Sequence, residues 1–94
     1  MYQIVYTGIV KNDLKRIGRR NILDLSLVEV TLKLLSDKGA DGVPTKMRPH
    51  KLKGNYEDNW ECHIKPDLLL IWFQIKSPKT IRLVRIGTHS DLFK

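Results

Sequence analysis

The stretch that decides the fold is WECHIKPDLLLIWFQI, residues 60–75. Its first five residues alternate, with Trp60, Cys62 and Ile64 on one face, the pattern of a strand with one side buried. Lys65-Pro66-Asp67 follows, and proline early in so short a link presets the backbone for a type I turn. From Leu68 to Ile75 the chain is nearly all apolar, the composition of a central strand covered on both faces. Ser77-Pro78-Lys79 makes a second short link of the same kind, and Ile81 to Ile86 alternates again. Strands joined this closely are antiparallel neighbours.

Upstream, His50-Lys51-Leu52-Lys53 alternates and stops at Gly54-Asn55, adding another extended segment. YQIVYT, residues 2–7, is rich in β-branched and aromatic residues and reads as a first strand. Between them lie two helices. Ile9, Val10, Leu14 and Ile17 fall at helical spacing from Gly8 to about Ile17, with Gly18 placed to close the helix and RRN as a turn. Leu25, Val28, Leu32 and Leu35 define a longer helix from about Ile22 to Lys38, with Asn21 or Asp24 as its N-cap and Gly39 at C′. GADGVPTKMRP, residues 39–49, has no period and reads as a long loop. The expectation is an α+β fold: two N-terminal helices packed on a mainly antiparallel twisted sheet of four to five strands, in one domain spanning 1–94.

Ninety-four residues suit one domain with a modest core and leave no room for a second domain. Seventeen Lys and Arg against ten Asp and Glu give a formal net charge of +7. On so short a chain that excess suits a polyanionic partner, nucleic acid first, or an acidic protein. The single cysteine, Cys62, rules out an internal disulfide and suits a reducing compartment. The start shows no signal-peptide pattern, and no apolar run approaches the roughly 20 residues that span a bilayer. The expectation is a cytoplasmic protein with no membrane contact.

Topology gathers the chemistry. In a meander, the end of one strand lies beside the start of the next. His63 near the end of its strand, Asp67 across the Pro66 turn, and Arg85 then His89 at the end of the last strand all fall at one rim. The start of the His50 segment reaches the same rim, with Phe93 just beyond. Histidines serve as both base and acid near neutrality. A carboxylate such as Asp67 orients an imidazole and favours its charged form. Arg85 offers a permanently charged fork for phosphate oxygens. Phe93 offers a ring for stacking on an unpaired base. This set suits RNA cleavage by internal transesterification, with no metal or other cofactor. KMRPHKLK, residues 46–53, abuts the rim, and Lys46, Arg48, Lys51 and Lys53 would draw a phosphate backbone.

Plainer readings stand beside these. Arg85 shares strand parity with Ile81 and Leu83 and would pair with an acid at the edge of the core. Asp67 is a residue that turns favour, and Phe93 would serve as a last core plug. A zinc site lacks its spacing, because Cys62 and His63 are adjacent and point to opposite faces. Cys62 has the parity of a buried small hydrophobe rather than a nucleophile. A basic module that binds nucleic acid or an acidic protein without catalysis remains the alternative.

HKLKG at 50–54, ECHIKPDLLLIW at 61–72 and LVRIGTHSDLF at 83–93 resemble the YafQ branch of the RelE-type toxins of bacterial toxin–antitoxin systems. The resemblance implies a small fold of the microbial-ribonuclease type and an endoribonuclease that cuts mRNA in the ribosomal A site. It also implies a cognate antitoxin that silences the toxin, with operator DNA reached only through that complex. Carried over by motif, His50, His63, Asp67, Arg85, His89 and Phe93 are the active-site set, with His50 as base and His89 as acid. The sequence departs from the family pattern at Trp60, where arginine is frequent, and at Leu68, where tryptophan is common.

Overall fold

The computed structural model describes residues 1–54 and 57–93. Strand β1 (Gln3–Tyr6) leads into helix α1 (Gly8–Arg20), and α2 (Ile22–Lys38) follows. Strands β2 (His50–Lys51), β3 (Trp60–Lys65), β4 (Leu68–Lys76) and β5 (Lys79–Gly87) build the sheet, and a short helix α3 (His89–Leu92) follows them. The strand order is β1-β5-β4-β3-β2, antiparallel throughout except that β1 runs parallel to β5. The α+β architecture expected from the sequence is the one observed.

Local chemistry explains the helix ends. Thr7 caps α1 by accepting from the Val10 N–H, and its hydroxyl donates to the Leu83 carbonyl, pinning the helix start to β5. The sequence suggested that α1 stops at Ile17 and that Gly18 closes it; α1 instead runs through Gly18 to Arg20. A Cβ at Gly18 would lie 3.2 Å from Leu25 Cδ2, so this glycine lets α1 and α2 approach rather than ending a helix. Asn21, not Asp24, caps α2, its Oδ1 accepting from the Leu23 and Asp24 N–H groups. Gly39, at φ 63°, closes α2 in a conformation that side chains resist. The expected loop at 39–49 contains two short 3₁₀ turns, Gly39–Gly42 and Thr45–Met47, each too brief for a period to show.

Two cores result. Val10, Ile17, Val28, Leu32 and Leu35 of the helices pack on Cys62, Leu70, Trp72, Ile81, Leu83 and Ile86 of the sheet. On the other face, Leu69 and Ile71 are covered by Leu92 of α3. Strand β4 is therefore buried on both sides from Leu68 to Trp72, after which Phe73 is exposed. β2 is shorter than expected, two residues rather than four, although the Leu52 N–H still reaches the Asn59 carbonyl. The Ser77–Pro78 peptide is cis, which is not the type I geometry that the sequence suggested.

Bulges adjust the register at two points. Ile64 is passed over between His63 and Lys65, and Val84 between Leu83 and Arg85. A simple alternation would keep Arg85 on the helix side with Ile81 and Leu83. The extra residue instead turns Arg85 to the opposite face, across from Ile71. His50, Glu61, Ile71 and Arg85 thus stand in one row across four strands, with His63, Leu69 and Gly87 in a neighbouring row.

Beyond Leu83, β1 no longer pairs with β5, and Asp13 of α1 takes its place. This carboxylate is fully buried. It accepts from Arg85 Nε at 2.9 Å and Nη2 at 3.2 Å, from the Ile86 N–H at 3.0 Å and from Arg16 Nη2 at 3.1 Å. Asp13→Ala removes the buried acceptor of the Arg85 guanidinium and of the Ile86 N–H, and the expected loss is about 3 kcal/mol or more. Urea unfolding checks this against Asp37→Ala on the exposed side of α2, which is expected to change stability by less than about 0.5 kcal/mol.

Candidate active site

On the face away from α1 and α2, His50, His63, His89 and Phe93 form a row of rings. Successive centroids are 6.3, 6.2 and 6.5 Å apart. The rim expected from topology therefore brings together His50, His63, Asp67, His89 and Phe93.

Each ring is held by a different device. His50 donates its Nδ1–H to the Arg48 carbonyl at 2.7 Å, which leaves Nε2 on the other side of the ring. Arg48 adopts a left-handed backbone (φ 52°) that few non-glycine residues take, at the end of the second 3₁₀ turn. His89 gives both its backbone N–H (2.9 Å) and its ring Nδ1–H (2.6 Å) to Asp67 Oδ1. These bonds, the backbone one foremost, hold the Asp67 carboxyl below its ordinary value, so it is ionised at neutral pH. His63 is mostly buried, and its Nδ1 has no hydrogen-bond partner among the described residues.

Helix α3, which carries His89 and precedes Phe93, is anchored by Asp91. Thr88 and Asp91 form a capping box, and Asp91 Oδ2 also takes the Arg20 guanidinium at 2.6 Å. Partial burial opposes the charge on Asp91, but the Thr88 N–H and Arg20 outweigh it and bring the carboxyl down to about 2. Phe93 is not the core plug that one reading gave it: it is 46% exposed, and Leu92 fills the core instead.

Arg85 lies in the same register row, but Asp13 engages its Nε and Nη2, and Nη2 also points to the Asp91 carbonyl at 3.5 Å. The plainer reading, an acid partner at the edge of the core, describes that contact. Among the other cations, Lys46 and Arg48 line a cavity of about 230 Å³ beside His63, together with Lys65. Lys51 lies over the Trp60 ring at 5.8 Å, and Lys53 is exposed. Trp60 stacks on Trp72 at 6.1 Å, and Leu68 is buried, so both departures from the family pattern serve packing.

Two residues escaped the sequence reading. Glu61 is buried between two imidazoles, its Oε1 3.3 Å from His50 Nε2 and 3.7 Å from His63 Nε2. The signal was present: the alternation that sends Trp60, Cys62 and Ile64 inward sends Glu61 and His63 to the other face. Asp13 was marked by its place on the Val10–Ile17 stripe of α1. Cys62 is buried as expected, and burial, with the Glu61 charge beside it, pushes the thiol up to about 12, which disables it as a nucleophile at neutral pH.

These features define a small basic protein with an acid–base cluster on an open sheet face, and solved structures of bacterial toxins share its fold. It is similar to YafQ in the DinJ–YafQ complex of E. coli (26% identity, all of both chains, TM-score 0.85). It is also similar to a metal-bound toxin from Helicobacter pylori (37% identity, 99% of this chain and 100% of that one, TM-score 0.82). A YoeB/ParE toxin from Agrobacterium tumefaciens shares the fold at 15% identity (93% of this chain and 98% of that one, TM-score 0.79). No curated protein sequence matches significantly. The chain belongs to the YafQ family, bacterial toxins of type II toxin–antitoxin systems, whose model matches residues 2–94. Among the described residues no group of three or more His, Cys, Asp or Glu side chains is arranged to hold a metal ion.

Because the ionised Asp91 is favoured in the folded state, its contribution is complete above about pH 4 and is lost as pH falls through about 2. Amide exchange in α3, followed from pH 5 downward, is expected to lose protection over that interval. Asp91→Asn is expected to abolish this part of the acid dependence, and an unaltered profile in that variant would count against the anchor.

Proposed function

We propose that the chain is a ribosome-dependent endoribonuclease that cleaves mRNA in the cytoplasm by metal-independent acid–base chemistry and is silenced by a cognate antitoxin. The observation that carries this is the row of three imidazoles ending in an aromatic ring, with a carboxylate against each end of the imidazole run. His50 takes the proton of the 2′-hydroxyl on Nε2, since Nδ1 is committed to the Arg48 carbonyl. The 2′-oxygen attacks phosphorus, the bond from phosphorus to the 5′-oxygen breaks, and His89 delivers the Nε2 proton to that oxygen. Asp67 holds the opposite nitrogen of His89 and stabilises its imidazolium. Phe93, half-exposed beside His89, stacks on an unpaired base. Lys46 and Arg48, with Lys51 and Lys53, draw the phosphate backbone. Arg85 adds positive charge behind the row while Asp13 fixes its position.

The antitoxin assignment rests on two supports. The related E. coli toxin is found in a complex with DinJ. In this chain Ile9, Ile22, Leu23 and Val30 are all more than half exposed along the helices, an apolar surface that suits a protein partner. Operator DNA is reached only through that complex.

His50→Ala and His89→Ala are each expected to lower cleavage by about 10²-fold or more while the fold survives. Primer extension on mRNA from cells making the protein reads this directly: new ends for the native chain and none for the variants. Ends that persist in both variants would remove these histidines from the chemistry. Absence of ends with the native chain would favour a non-catalytic binding module. Purified protein is expected to cut mRNA on translating ribosomes and to leave the same RNA intact when naked. Cleavage is expected to survive phenanthroline, which removes transition metals and spares the magnesium that ribosomes need.

A further inference from the structure

Glu61 presents a problem of charge. Its side chain is 9% exposed, and the imidazoles of His50 and His63 are its ion-pair partners among the described residues. A carboxylate withdrawn from water needs a donor or a positive charge close by. Both rings turn Nε2 toward the same oxygen, at 3.3 and 3.7 Å. His50 already spends a proton on the Arg48 carbonyl through Nδ1. His63 has no acceptor at its buried Nδ1, so its one proton in the neutral ring belongs on Nε2, facing Glu61.

We propose that Glu61 is a positioning residue of the ribonuclease reaction: flanked by the His50 and His63 imidazoles, it serves as counter-ion to His50 when that ring takes the 2′-hydroxyl proton. The inference rests on the ribonuclease reading above and adds a residue that works through the base. In the resting site His50 Nε2 lies 3.3 Å from the carboxylate. When the 2′-hydroxyl proton arrives there, the new imidazolium finds a negative charge 3.3 Å away without moving. The proton passes from the 2′-oxygen to His50 Nε2, and Glu61 gains and loses none. His63 flanks the carboxylate on its other side, Nε2 at 3.7 Å from the same oxygen.

Charge and shape can be separated at this position. Glu61→Gln keeps the shape and removes the charge, while Glu61→Asp keeps the charge and shortens the arm. Single-turnover cleavage of ribosome-bound mRNA is expected to fall about 10- to 100-fold for Gln and by less for Asp, with the KM of both close to that of the native chain. The decisive comparison repeats Glu61→Gln in a His50→Ala background, where the expected further loss is within about twofold, because a counter-ion without its cation has nothing to stabilise. Three outcomes overturn the proposal: no loss with Gln, a loss with Asp at least as large as with Gln, or the same fold-loss with and without His50. His50→Ala alone tests the underlying reading separately, since full activity in that variant would sink the base assignment whatever Glu61 does. If Glu61→Gln does not fold, as judged by urea unfolding, Glu61→Asp alone and combined with His50→Ala gives the same comparison.

Discussion

The structure depends on one buried carboxylate. Asp13 sits where β1 leaves the edge of β5, and there it supplies the acceptors that a neighbouring strand would otherwise provide. Without it, the Ile86 N–H would lose its partner in a dry place and the Arg85 guanidinium would lose a buried carboxylate. Through the same residue α1 is tied to the last turn of the sheet, from which α3 departs. Arg16 and Arg20 of α1 then reach Asp91 and hold α3 against the body. The placement of His89 and Phe93 is therefore settled from α1, at the far end of the sequence.

The site built on this frame uses two carboxylate–histidine pairs in different surroundings. Asp67 and His89 are exposed and tightly bonded, at 2.6 Å. Glu61 is buried and shared between His50 and His63 at longer range. An exposed imidazole held by a carboxylate on one nitrogen suits proton delivery from the other. An imidazole backed by a carbonyl and facing a buried charge suits proton capture. In the proposed reaction, environments that differ this way would divide the roles of base and acid between residues of the same kind.

Much of this was legible in the sequence, for a physical reason: closely spaced strand pairs are antiparallel, and antiparallel pairs bring known ends together. That rule alone joined His50, His63, Asp67 and His89 across 40 residues. The alternation in 60–64 also placed Cys62 in the core. Other features stayed hidden, four of them for reasons of this kind. Gly18 reads as a helix stop because a glycine that ends a helix and one that admits a neighbouring helix look alike without the neighbour. The bulge at Val84 adds one residue that no alternation announces, and it moved Arg85 to the other face. Helix α3 has four residues, too short for a period. Glu61 was passed over because a lone acid among charges reads as surface until its face is compared with that of His63.

The central claim is that the imidazole row cleaves RNA by internal transesterification, and the nature of the cut ends tests it most directly. Transfer of the 2′-hydroxyl proton, attack on phosphorus and protonation of the leaving oxygen leave a 2′,3′-cyclic phosphate on one fragment and a 5′-hydroxyl on the other. End-group analysis of mRNA cut on ribosomes by the purified protein is predicted to find that pair. A 3′-hydroxyl together with a 5′-phosphate would mean that water, not the 2′-oxygen, attacked phosphorus, and would contradict the account.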